Sequence, residues 1–230
     1  MSVKDERGYT LVELLVGMMV SLVVLAAILA MVQVATGNQS RVSQHVIANQ
    51  RGRPAMNRII DLLHSACVSP GLAPIQENST ASSITFLSKS GTAVNPIPDR
   101  YVISLTAGRL TETTALGSGT EPLKWSYGPP STPRQLVDGL STAQIGEPPV
   151  AVPLFRYFAY EGGQVSAVPL PTPLDKTNAA KVVQVSVAFR VAPSAGAIAD
   201  SSALVTLSDS ATLRIEPASE NSAEVNLPCV

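Results

Sequence analysis

From Leu14 to Ala35 no side chain carries a charge; only Gly17, Ser21 and Gln33 interrupt the apolar run, and the next charge is Arg41. A helix over that run, at about 1.5 Å per residue, spans the roughly 30 Å hydrocarbon core of a bilayer. A secretory signal peptide normally has an apolar region of about 7 to 15 residues followed by a small-x-small cleavage site. Neither feature is present, so the apolar segment is expected to persist in the mature protein. Glu13 stands at its head, preceded by Tyr9, Thr10, Leu11 and Val12. A carboxylate at the bilayer centre costs roughly 2.5–3.5 kcal/mol, and less near the interface. An ordinary anchor gains nothing by keeping it.

A cut after Gly8 gives the residue a purpose. Tyr9 then carries a new α-amino group, and Glu13 lies four residues along on the same helix face. The carboxylate falls in the first turn, where the helix dipole also favours negative charge. In a stack of parallel helices a neighbour's amine can serve instead, which turns the penalty into a register-setting contact.

The stretch Arg7-Gly8-Tyr9-Thr10-Leu11-Val12-Glu13-Leu14-Leu15-Val16 closely resembles the processing site of type IV prepilins and type II secretion pseudopilins. In that family a short charged leader ends in glycine, a membrane peptidase cuts after it, and the same enzyme methylates the new amine. The resemblance implies a leader over residues 1–8, processing at Gly8 and Tyr9, and Glu13 as the assembly glutamate. Two details depart from the pattern: Tyr9 replaces the usual phenylalanine, and Asp5 and Glu6 accompany Lys4 and Arg7. The alternative is a plain signal anchor with an accidental glutamate. Arg41, Arg51, Arg53 and Arg58 outnumber the leader's two bases, so orientation rests on the resemblance rather than on the positive-inside rule. It implies a single-pass inner-membrane protein with an extracytoplasmic C-terminal domain, passing into a pilus or pseudopilus.

Hydrophobic residues make up 45% of the 230-residue chain and aromatics 4%, and a formal net charge of −1 gives no field that invites nucleic acid. Beyond Gly37-Asn38 a helical stripe runs through Val42, Val46, Asn49, Arg53, Met56, Ile60, Leu63 and Cys67. Pro54 is expected to interrupt and bend it, and Ser69-Pro70-Gly71 to end it. The arginines from 41 to 58 have no acid among them, so they either meet anionic headgroups or phosphates or form a solvated helix face. From about residue 80 the periodicity becomes two. Strands are predicted over 83–87, 101–105, 110–114, 123–127, 154–160, 182–191, 204–207 and 211–215, with Ala107-Gly108 and Gly162-Gly163 as hairpin turns. Prolines at 128–133, 147–153 and 168–173 mark surface loops. The expected fold class is α+β: a long N-terminal transmembrane and amphipathic helix packed on a mainly antiparallel β-sheet. Its parts are a leader (1–8), an assembly helix (9–36), an amphipathic continuation (37–69) and a β-rich head (70–230).

The head is also similar to W-type minor pilins and J-type pseudopilins, through Tyr101–Leu105 turning to Arg109-Leu110, then Leu136–Leu140, Phe155–Gly162 and the strand 182–191. That likeness implies a low-copy subunit that starts assembly or sits near a filament tip. The partners it implies are other pilins or pseudopilins, a prepilin peptidase and methyltransferase, and membrane lipid before assembly. Nucleic acid is not expected. A third possibility is a single-pass anchored binding protein that never polymerises.

No catalytic motif stands out, and neither enzyme activity nor a cofactor is expected. His45 and His64 lack companions at metal-ligand spacing, and Asp200 and Asp209 lack the dense oxygen set a calcium site needs, so no metal is expected. Cys67 and Cys229 fit no metal or redox motif; outside the cytoplasm they could pair, which would tie down the C-terminal tail. A buried free thiol and an exposed one is the alternative.

Overall fold

The computed structural model describes residues 10–67, 73–88, 97–119, 125–195 and 203–213. It divides into two compact units, Met1–Gln44 and His45–Val230. The first is the N-terminal part of helix α1 (Leu11–His64). Every large apolar side chain from Leu11 to Val34 is at least half exposed, and the helix is long and apolar enough to cross a membrane. Its interior hydroxyls turn back on the helix: Ser21 Oγ donates to Met18 O at 2.9 Å, and Thr36 Oγ1 to Val32 O and Gln33 O at 3.0 Å each. Such bonds leave no hydroxyl unsatisfied in lipid.

In the second unit the rest of α1 joins the strands β1 (Ser83–Ser88), β2 (Asp99–Thr106), β3 (Arg109–Ala115), β4 (Gly117–Ser118), β5 (Ser126–Tyr127), β6 (Arg134–Asp138), β7 (Leu140–Ile145), β8 (Val150–Val152), β9 (Phe155–Phe158), β10 (Tyr160–Glu161) and β11 (Gln164–Val165). Helix α2 (Lys176–Lys181), β12 (Gln184–Val191) and β13 (Val205–Thr212) complete it. One sheet has the order β1-β2-β3-β6; the other runs β13-β12-β7-β8, with β9 beside β12. All the pairings are antiparallel, so a long helix with antiparallel sheets, the α+β class, is what the chain forms.

Alternation dictates which faces are buried. Ile84, Phe86, Tyr101, Ile103, Leu110 and Val137 point inward from the first sheet, and Phe155, Tyr157, Val185, Val187, Phe189 and Val191 from the second. Both sets join one core with Ala48, Ala55, Met56, Ile59, Leu62 and Leu63 of α1. The hydroxyl of Tyr157 donates to Thr80 O at 2.9 Å, and Phe155 N to Ala81 O at 3.0 Å, tying the second sheet to the turn that opens the first.

The expected helical stripe is corrected in phase. Met56, Leu63 and Cys67 are buried, but Val42, Val46 and Arg53 are exposed. The buried stripe runs instead through Ala48, Gly52 and Ala55 to Ile59 and Leu62. The contact is made by small residues: a Cβ added at Gly52 would lie 2.5 Å from Leu207 Cδ1 and 2.9 Å from Val191 Cγ1. A pattern sought in large apolar side chains misses an interface built on close approach. Nor does Pro54 interrupt α1, which runs through it to His64. The expected helix end at 69–71 lies outside the described residues.

Both two-residue hairpins form where expected. Ala107 and Gly108 take φ of 49° and 72°, and Gly162 and Gly163 take 60° and 83°, the left-handed pair that matches strand twist. The strands expected at 204–207 and 211–215 prove to be the single strand β13, paired along its whole length with β12. Ser208-Asp209-Ser210 is exposed and breaks the apolar rhythm, while the ladder to β12 continues beneath it. The period-two reading includes none of β4, β6, β7, β8 and β11, and the helical reading does not include α2. Asp175 caps α2, its carboxylate accepting from Asn178 N at 2.7 Å.

Candidate functional site

Thr10 precedes the first helical residue, and Glu13 is the third residue of the helix. Thr10 N donates to Glu13 Oε2 at 3.2 Å, and Glu13 N donates to Thr10 Oγ1 at 3.3 Å. The Thr10 hydroxyl adds a bond to the same carboxylate oxygen at 3.2 Å. This is a capping box, each residue satisfying the other's unpaired backbone donor. The carboxylate also lies in the first turn, at the positive end of the helix dipole.

The capping box changes how the acid is accommodated. Glu13 has a local partner in its own helical turn, and among the described residues only one of its two oxygens is used. The signal was in the sequence as Thr-x-x-Glu ahead of an apolar run. It is hidden when attention stays on the charge alone. Gly8 and Tyr9 lie outside the described residues, so the expected contact between Glu13 and the Tyr9 amine has no geometry here.

The arginines of α1 follow neither of the two expected courses as a group. Arg51 forms an ion pair with Asp138 at the end of β6, and its Nη1 donates to Ala192 O, just past β12, at 2.7 Å. Arg58 grips Glu112 of β3 with two bonds, Nε to Oε2 at 3.1 Å and Nη2 to Oε1 at 2.9 Å. That carboxylate holds the guanidinium's pKa above its ordinary value, against the opposing effect of burial. Arg53 donates to Asn49 Oδ1 at 2.8 Å on the exposed face, and Arg41 is exposed. The basic run is therefore partly an internal fastening of helix to sheet.

His45 and His64 are exposed, and among the described residues no three His, Cys, Asp or Glu side chains gather as metal ligands would. Asp209 Oδ1 accepts from Ser210 N, while Asp200 lies outside the described residues. Cys67 is 1% exposed, and its N–H donates to Leu87 O at 2.8 Å. Cys229 lies outside the described residues.

Residues 3–29 match the family model described as the prokaryotic N-terminal methylation motif. The match covers the capping box and most of the uncharged run. No curated protein matches the chain.

Proposed function

We infer from a chain that carries the prepilin-type cleavage and methylation segment of type IV pilins and pseudopilins that it works as a minor pilin-like structural subunit. Such a segment implies cleavage by a prepilin peptidase and assembly with other pilins. In this reading residues 1–8 are the leader, 9–36 the assembly helix, 37–69 its continuation and 70–230 the head. Cleavage after Gly8 exposes the Tyr9 amine for methylation.

The observation that carries the reading is Glu13, an acid held in the first turn of a helix whose large apolar side chains from Leu11 to Val34 are all at least half exposed. The apolar helix stores the subunit in the inner membrane, with the head outside the cytoplasm. When a neighbour's Tyr9 amine approaches, the free carboxylate oxygen of Glu13 receives it and fixes the register of the helix stack. The large head favours a low-copy place at initiation or at the tip. Cys67 and Cys229 pair in the oxidising compartment and fasten the tail to the end of α1.

Two measurements test this. N-terminal sequencing of the membrane-extracted protein is expected to begin at a methylated Tyr9; retention of Met1–Gly8 in working protein overturns the reading. Glu13→Ala is expected to leave the protein in the membrane but absent from sheared filaments, whereas an anchored binding protein that never polymerises would be unaffected. The J-type pseudopilin reading rests on the same residues. It predicts that deletion stops exoprotein secretion and leaves pilus-dependent motility intact.

A further inference from the structure

The outer face of the first sheet, away from the core, carries a groove of about 300 Å³ lined by Thr85, Arg100, Val102, Thr113, Ala115 and Pro130. Its floor is one row across three strands, Thr85 opposite Val102 and Val102 opposite Thr113. Arg100 and Ala115 form the next outward-facing row. Pro130 belongs to a segment fixed along β3, where Ser131 N donates to Thr114 O at 2.8 Å and Thr114 N to Ser131 Oγ at 3.0 Å.

Arg100 is the unusual member. Its guanidinium lies 4.9 Å over the ring of Tyr127, which the pairing of β4 with β5 holds in place. The neighbouring acid, Asp99, is engaged elsewhere, its Oδ1 accepting from Gly117 N at 2.9 Å. Among the described residues no acceptor lies within hydrogen-bonding distance of the Arg100 fork, nor do the hydroxyls of Thr85 and Thr113 find partners. The contact with the ring leaves the guanidinium's N–H donors unused among the described residues, and a guanidinium fork matches a carboxylate with two parallel bonds.

We propose that this groove binds a hydroxylated carboxylate of the hexuronate class. Arg100 takes the carboxylate, Thr85 and Thr113 exchange hydrogen bonds with ring hydroxyls, and Val102, Ala115 and Pro130 cover an apolar C–H face of the ring. The volume suits one pyranose ring, and a few polar groups on an otherwise apolar wall are the usual make-up of such a site. The proposal is independent of the filament reading, since no groove residue belongs to α1.

The test is calorimetric titration of the full chain in detergent micelles with glucuronate, glucose and a uronate trisaccharide. Saturable glucuronate binding is expected, with glucose at least about tenfold weaker for lack of the charged group. Arg100→Gln is expected to lower glucuronate affinity by about tenfold or more while its thermal melt stays that of the parent. The paired variant Thr85→Val and Thr113→Val, which keeps the shape of the floor, is expected to weaken glucuronate but not acetate. Trisaccharide binding tighter than that of the monomer assigns the site to an acidic polysaccharide, and equal binding assigns it to the free sugar acid. Absence of saturation, glucose binding as tight as glucuronate, or unchanged affinity in folded Arg100→Gln overturns the proposal.

Discussion

Glu112, at 5% exposed, has surrendered nearly all its water, and the two hydrogen bonds from Arg58 replace that hydration. The Arg58 side chain keeps 38% of its surface in solvent, so the pair is asymmetric. Arg58→Met strands a buried carboxylate and is expected to cost about 3 kcal/mol. Glu112→Gln frees a guanidinium that water can reach and should cost only about 1 kcal/mol. Urea unfolding followed by fluorescence of Trp125, the chain's one tryptophan, compares the two, and equal losses would contradict the asymmetry. Tyr157 gives a pH test of the same interior. Burial pushes its phenol well above the ordinary tyrosine range. Because the folded value exceeds the unfolded one, its contribution is fully present below about pH 10 and is lost as pH rises beyond it. The unfolding midpoint should therefore fall steeply with alkali, and Tyr157→Phe should flatten that dependence. At this scale the sequence disclosed Glu13 by its anomaly, an acid beside lipid. It did not disclose the arginine partners, because Asp138 and Glu112 lie 87 and 54 residues away from Arg51 and Arg58.

Among elements, α1 lies against β12 and β13 at Gly52, which would crowd both Leu207 and Val191 if it had a side chain. Leu207 can swing aside, but Val191 is β-branched and stiff. Gly52→Val is expected to force a shift of helix or strand and to cost about 1–3 kcal/mol, read as a lower thermal midpoint with the hairpin strands still formed by circular dichroism. The strand at Tyr101–Leu105 was legible because one face is buried. Gln184–Val191 was legible because its valines and Phe189 alternate with Ser186, Ala188 and Arg190, although both its faces are largely buried. The expected start at Val182 is instead the C-cap of α2. Those at the margins were not. Strand β7 buries only Leu140 and Ala143, three residues apart rather than two, and β8 is three residues long with none buried, so neither sets a period-two rhythm. Helix α2 is six residues long, too short for a periodic stripe, and rests on the Asp175 cap.

For the whole molecule, the division into a lipid-compatible helix and an antiparallel head was legible from the change of period near residue 80. How helix and sheets meet was not, because small residues and distant ion pairs make that joint. Reduction of the proposed Cys67–Cys229 bond in the full chain is expected to lower stability by about 2–4 kcal/mol. Unreduced protein should also run two hydrogens lighter by mass spectrometry, and a reductant-insensitive melt would count against the bond. Arg51 bears on the molecule's behaviour under load. One guanidinium holds the last residue of β6 and the carbonyl just past β12, so a single helical turn grips both sheets across their seam. Tension drawn along that part of α1 is thereby shared between two ladders. A helix fastened to one sheet alone would put the whole of that load on a single ladder.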